Sequence, residues 1–191
     1  MKTSLILLAS ALLVAGNASA AEDASKSMWE YSAELGFVST SGNTETETLN
    51  ARAMASTDRD EWRHKVEITA LNSSDAVSTT AKKLSLMGQS DYKLEGSNFL
   101  FGIVTYENEK FSGYDYRSTA AIGYGRRVIE ESEMILDLEV GPGVRQSKLD
   151  SGVTDSETMI RAAAKLDWAI SKTSKFAEVL TVEAGEDVTV T

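Results

Sequence analysis

From Trp29 to near its end the chain alternates with a period of two, and this constrains the fold more than any other feature. Trp29, Tyr31, Ala33, Leu35 and Phe37 alternate with Glu30, Ser32, Glu34 and Gly36. Met134, Leu136, Leu138 and Val140 alternate with Ile135, Asp137, Glu139 and Gly141. Ile160, Ala162, Ala164, Leu166, Trp168 and Ile170 alternate with Arg161, Ala163, Lys165, Asp167 and Ala169. A helix would scatter these apolar residues around its circumference, whereas a strand gathers them on one face. Less regular segments follow the same rule over about Thr44 to Ser56, Glu61 to Leu71, Thr80 to Leu94, Asn98 to Glu109, Tyr116 to Arg127 and Phe176 to Asp187. The reading is therefore nine strands, one per roughly nineteen residues.

Strands this long exceed the five or six residues usual in soluble proteins. About twelve residues at ~3.3 Å each reach roughly 40 Å, enough to cross an outer-membrane apolar band at a tilt of about 40°. The expected fold is all-β: an antiparallel up-and-down transmembrane β-barrel of the outer-membrane type. Bacterial single-chain barrels have even strand counts. Nine is odd, and the chain closes on Glu186 to Thr191 without a terminal aromatic residue. The expectation is a barrel truncated from ten to twelve strands, with residues 29–191 forming an incomplete barrel domain.

The first twenty residues read as an address. Lys2 precedes an apolar run from Leu5 to Ala15, and Ala18-Ser19-Ala20 is a small-residue cleavage pattern. This is the form of a secretory signal peptide over 1–20, followed by a flexible lead over 21–28. Export through a cleaved signal peptide and the barrel pattern together place the expected location at the cell outer membrane of a Gram-negative bacterium.

The connections are expected to alternate in length. Asn72 to Thr79, Lys110 to Asp115 and Ser147 to Asp155 read as longer outer loops. Asp58 to Asp60, Glu95 to Ser97 and Glu130 to Ser132 read as tight periplasmic turns. Trp29, Trp62, Tyr92, Phe99, Tyr106, Tyr116, Tyr124, Trp168 and Phe176 lie near strand ends and are expected to form interfacial girdles.

The polar faces carry both charge signs. Arg117 and Arg127, then Asp137 and Glu139, then Arg161 and Lys165 fall on three consecutive strands. They are the candidate charge network of a barrel lumen, in which neighbouring opposite charges pair. The alternation alone leaves open whether the apolar face points to lipid or to an interior.

Composition excludes most chemistry. The chain has no cysteine and one histidine, which removes thiolate and multi-histidine metal sites. Its net charge of -10 argues against nucleic acid as a partner. His64 shares the phase of Trp62 and Val66, no G-x-S-x-G is present, and no phosphate loop occurs. Acid clusters at Asp58-Asp60-Glu61 and Glu130-Glu131-Glu133 lack calcium-loop spacing. No catalytic residue, metal or cofactor is expected, and outer-membrane lipid is the expected partner.

Two stretches carry a family resemblance. Glu34-Leu35-Gly36-Phe37 leads into Thr40-Ser41-Gly42-Asn43-Thr44. Tyr106-Glu107 begins a run through Phe111, Asp115 and Arg117 that ends in Gly123-Tyr124-Gly125. With Gly141-Pro142-Gly143 they resemble a YdiY-like domain-of-unknown-function family, whose members are described as salt-induced outer membrane proteins. The resemblance implies an outer-membrane β-barrel and carries no catalytic residue over. Ser41, Gly42 and Asn43 suit a hairpin turn, because Gly and Asn tolerate positive φ.

The function expected from all this is an integral outer-membrane barrel with a structural or narrow-pore role in the cell envelope, linked to salt or osmotic stress. The alternative is a soluble periplasmic or secreted β-barrel that binds a small apolar ligand inside.

Overall fold

A computed structural model of the protein describes residues 6–7, 29–40, 46–75, 79–110, 113–171, 173–185 and 188–190. The expected signal peptide (apart from residues 6–7), the lead over 21–28 and the Ser41-Gly42-Asn43 turn lie outside them. Nine long strands follow one another: β1 (Trp29–Thr40), β2 (Thr46–Asp58), β3 (Trp62–Asp75), β4 (Thr79–Lys93), β5 (Asn98–Lys110), β6 (Tyr114–Glu130), β7 (Met134–Leu149), β8 (Thr154–Ser171) and β9 (Ser174–Ala184). Each pairs antiparallel with the next, so sheet order equals chain order. Short ladder segments lie on the two outer strands: Ile6–Leu7 along Thr40 and Ser39, and Val188–Val190 along Val182 to Ala184. β1 and β9 are not paired with each other, and the sheet is a curled wall rather than a closed ring.

The expected alternation of long and short connections is not found. β3 runs on to Asp75 and β4 begins at Thr79; β7 runs on to Leu149 and β8 begins at Thr154. Side-chain polarity does not end a strand while its backbone groups still have ladder partners. Ser147 and Lys148 keep theirs, opposite Asp155 and Thr154. The hairpin then closes on Gly152, whose φ of +85° only glycine adopts without strain, with its N–H donating to the Leu149 carbonyl at 2.8 Å.

Strand parity separates two faces. On the convex side stand Leu35, Leu49, Val66, Ile68, Leu86, Leu100, Val104, Ile122, Val140, Val144 and Ile160, all exposed. The concave side holds Gln89, Asp91, Asp137, Glu139, Arg145 and Arg161, all buried. The apolar face is thus the outer one and the charged face the inner one.

Aromatic residues bracket the outer band at two heights. Tyr31, Trp62, Tyr92, Tyr124, Trp168 and Phe176 are exposed at the end of the sheet that carries the β2–β3, β4–β5, β6–β7 and β8–β9 turns. Trp62 packs on Tyr92 with ring centres 5.0 Å apart and stacks on His64 at 5.7 Å. At the other end Tyr106 and Tyr116 stack at 5.9 Å. Tyr116 and Tyr124 on β6 are separated by roughly 26 Å of strand, at ~3.3 Å per residue. Phe99 departs from the expectation. It points inward and is 4% exposed, because it shares the parity of Phe101 and Ile103 on the inner face of β5.

These inward aromatics explain the glycines opposite them. Phe99 pairs with Gly125. A Cβ on Gly125 would overlap the Phe99 ring, and one on Gly123 would meet Phe101 and the β7 backbone. Gly141 and Gly143 continue the small surface on β7, and the β6–β7 ladder skips between Ala121–Gly143 and Tyr124–Val140. Pro142, which has no N–H to donate, sits in that gap. Glycine opposite an aromatic ring is a means of bending a sheet sharply while keeping its inner surface filled.

Gly125→Ala is expected to lower stability by about 1–3 kcal/mol through overpacking against Phe99. Gly88→Ala, whose Cβ would meet nothing within 4 Å, is expected to leave the urea midpoint of the protein close to wild type. Equal midpoints for the two variants would show that the ring does not rest on Gly125.

Candidate functional site

The concave face is lined by strands of matched parity, so each charge has opposite charges within reach on adjacent strands. Curvature then adds contacts between strands that are distant in the sheet. Arg63 on β3 donates from Nε to Asp91 Oδ2 on β4 at 2.8 Å, and its Nη1 lies 3.1 Å from Asp137 Oδ2 on β7. Arg127 on β6 meets Asp137 bidentately, Nε to Oδ1 at 2.8 Å and Nη2 to Oδ2 at 3.1 Å. The guanidinium of Arg63 also lies 4.9 Å from the centre of the Phe99 ring.

Glu139 on β7 is the hub of the second half. Its side chain has no exposed surface. Oε1 accepts from Lys165 Nζ at 2.6 Å and from the Gln89 amide at 2.8 Å, while Oε2 accepts from Arg161 Nη1 at 3.2 Å. Gln89 on β4 joins the two halves. Its amide nitrogen also donates to Asp91 Oδ1 at 2.8 Å, and its oxygen accepts from Lys165 at 2.6 Å. Toward β9, Arg145 donates to Glu157 at 2.9 Å and to Glu183 at 2.5 Å. Among the described residues its Nε is buried without a partner.

Arg63, Arg127, Arg145, Arg161 and Lys165 therefore oppose Asp91, Asp137, Glu139, Glu157 and Glu183, five positive charges against five negative. In a chain with a net charge of -10 this buried network is itself neutral. Burying such ions is tolerable only when each is paired and hydrogen-bonded. What the arrangement can do chemically is hold the wall in its curl. The side chains fill the concavity and span it from β3 to β7 and from β4 to β8.

Of the residues singled out from the sequence, Arg127, Asp137, Glu139, Arg161 and Lys165 come together here. Arg117 does not join them. It lies farther along β6, donating to Ser147 Oγ at 3.4 Å and resting over the Tyr114 ring at 4.4 Å. Near it, Lys83 is paired with Glu107 and Glu109. Arg63, Asp91, Gln89 and Arg145 complete the network and were not among the candidates singled out from the sequence. The parity of Arg145 with Asp137 and Glu139 was the available signal, interrupted for the reader by Gly141-Pro142-Gly143. Gln89 carries no charge and gave none. His64 faces outward beside Trp62, with Nδ1 2.9 Å from Ser90 Oγ.

Comparison with known proteins identifies the family of the chain. The model of the family described as "Protein of unknown function, DUF481" matches residues 33–191. The chain is 25% identical over 164 residues to the "Uncharacterized protein YdiY" of Escherichia coli (strain K12). That alignment covers 86% of this chain and 65% of the relative, so the chain spans about two thirds of the relative's length. No solved structure matches significantly. The chain belongs to the DUF481 family.

Glu139→Gln keeps the shape of the hub and removes its charge. It takes the nearest counter-ion from buried Arg161 and half-buried Lys165, leaving Arg161 only the more distant Glu183 at 3.9 Å, and a loss of about 3–5 kcal/mol is expected. Arg52→Gln, at the half-exposed Arg52–Glu67 pair, is expected to cost under about 1 kcal/mol. Denaturant midpoints of the two variants compare them directly, and a Glu139→Gln midpoint as high as that of Arg52→Gln would refute the hub role.

Proposed function

We propose that this DUF481 chain forms the wall of an integral outer-membrane β-barrel, with lipid against its convex face and a self-neutralised, side-chain-filled interior. Its role in this reading is to build the cell envelope, with at most a narrow path through the interior. The observation that carries the reading is the sorting of the two faces: the large exposed apolar side chains stand on the side opposite the ion-pair network. A soluble protein rarely exposes a contiguous apolar surface of that extent. Lipid gives it a solvent, and the aromatic residues at the two heights suit the two boundaries between hydrocarbon and headgroups. An interior ligand of apolar chemistry would have to lie against buried Asp, Glu and Arg side chains, which argues against the soluble-binder alternative.

The N-terminal run with its A-x-A site supports export through a cleaved signal peptide in this reading. Because β1 and β9 are not paired with each other, closing the ring takes strands beyond these nine. The reading is non-catalytic: His64 sits on the outward face with Ser90 and Trp62. A role under salt or osmotic stress rests on the family resemblance, and growth of a deletion strain in high salt tests it.

The protein expressed in its host is expected to fractionate with the outer membrane, to resist high-salt extraction and to migrate differently on gels before and after heating. Monodisperse recovery from the periplasm without detergent would overturn the reading. In planar bilayers wild type is expected to pass little steady current. Replacing Arg63 and Arg127 together by Ala, which empties part of the interior, is expected to raise it. Large wild-type conductance would replace the structural role with that of an open pore.

A further inference from the structure

The outward face carries one charge arrangement that the wall itself does not explain. Lys82 on β4 and Lys110 on β5 are direct cross-strand partners. Both are exposed, and among the described residues neither has a hydrogen bond or an ion pair. Like charges directly opposite one another in a sheet are destabilising. Other lysines of the sheet meet carboxylates: Lys65 with Glu67, Lys83 with Glu107 and Glu109, Lys93 with Asp58, Lys148 with Asp115 and Lys165 with Glu139. Asp115 and Asp150 share a pocket with Lys110 and Asn108, Asp115 being held by Lys148; the 82–110 pair itself is left to recruit an anion from outside the chain.

Its position says which anion. On β5 the outward residues run Leu100, Gly102, Val104, Tyr106, Asn108, Lys110, so the lysines stand just beyond the last apolar rungs, Leu84 and Tyr106. The rings of Tyr106 and Tyr116, stacked on one another at 5.9 Å and half-buried, lie two outward positions below Lys110. Asn108, between these rings and the lysines, has its amide nitrogen tied to the Asp115 carbonyl at 2.6 Å, leaving its side-chain oxygen as an acceptor. Two cations, an amide acceptor and an aromatic shelf at the top of an apolar band match a phosphorylated sugar carried on acyl chains. This end is also opposite to the one where Trp29 begins β1. In a barrel whose strands start in the periplasm, it meets the outer leaflet.

We propose that Lys82, Lys110, Asn108 and the Tyr106–Tyr116 shelf bind the phosphorylated sugar headgroup of an outer-leaflet glycolipid. The site rests on the membrane reading above. Phosphate draws on both lysines, the sugar face lies on the tyrosines, and the acyl chains descend along Leu84, Leu86 and Val104. A chain with a net charge of -10 would otherwise repel a phosphate-bearing surface, and the paired lysines reverse that locally.

The test uses the full chain folded in a neutral detergent, with native mass spectrometry counting bound lipid. The probes are diphosphorylated lipid A, dephosphorylated lipid A, phosphatidylglycerol and inorganic phosphate. Wild type is expected to retain diphosphorylated lipid A in preference to the other three, and less so as salt rises. Loss of affinity is expected to be on the order of fivefold for Lys82→Gln or Lys110→Gln and about 25-fold for both. Lys175→Gln, at the opposite end of the sheet, is expected to bind as wild type does. Heat-modifiable migration of each variant verifies that it has folded. A folded double variant that binds lipid A as wild type does overturns the site. So does equal retention of the dephosphorylated lipid or of phosphatidylglycerol, or displacement of the lipid by equimolar inorganic phosphate. A wild-type chain that neither inserts into micelles nor shows heat-modifiable migration refutes the membrane reading itself, and the site with it.

Discussion

The burial of Glu139 is the point on which the rest of the wall depends. An isolated carboxylate with no exposed side-chain surface would cost several kcal/mol, or would take up a proton. Glu139 is held by Arg161 and Lys165 from the adjacent β8 and by Gln89 from β4, three positions away in the sheet. The Gln89 contact exists only if the sheet curls far enough to bring β4 over β7. Curvature is thus required by the polar chemistry, and the polar chemistry is what the curvature encloses. Arg63 reaching Asp137 from β3 imposes the same condition from the other side.

Curling so tightly needs room on the inner surface, and the chain provides it on β6 and β7. Gly123, Gly125, Gly141 and Gly143 present backbone where other strands present side chains. Phe99 and Phe101 fill the volume those glycines leave. With Ile103 and Ala121 they make a small apolar cluster beneath the ion pairs. The interior is therefore layered: rings against glycine backbone, then guanidinium and carboxylate groups above them, with Arg63 resting over Phe99. A low-dielectric floor strengthens the pairs that it supports, and it raises the penalty on any left incomplete.

Much of this is legible in the sequence, and the limits have physical causes. Period-two alternation located every long strand, because a half-buried strand writes its two faces directly into residue order. It did not say which face was inside. Leu138 and Glu139 obey the same parity rule whichever way the sheet curls, and the direction of curl is a tertiary property. Contacts between adjacent strands could be anticipated, since Asp137 beside Arg127 and Lys165 needs only register. Arg63 with Asp137 could not, because no local pattern reports which distant strand comes overhead. β5 misled for a different reason. Phe99 to Val104 is apolar on both faces, so Phe99 looked like a strand-end aromatic and not a core ring. The loop expectations failed because Ser147 and Lys148 are polar yet still have backbone partners.

The ion pairs are better understood as specifying register than as adding stability. Buried salt bridges often gain little over well-packed apolar residues of the same volume. Register is another matter, because a slip of one residue in a strand moves every side chain to the opposite face. Sliding β7 by one against β8 would turn Asp137, Glu139 and Arg145 outward together and bring Leu138, Val140 and Val144 in. In the proposed membrane setting the outward cation alone would cost about 2–4 kcal/mol at mid-membrane, with the carboxylates adding to it. An all-apolar interior would lack that penalty, since both registers would present hydrocarbon to both sides. Mixed charge on one face and none on the other makes the wrong register expensive twice over: through the ions exposed to lipid, and through the partners left unpaired inside.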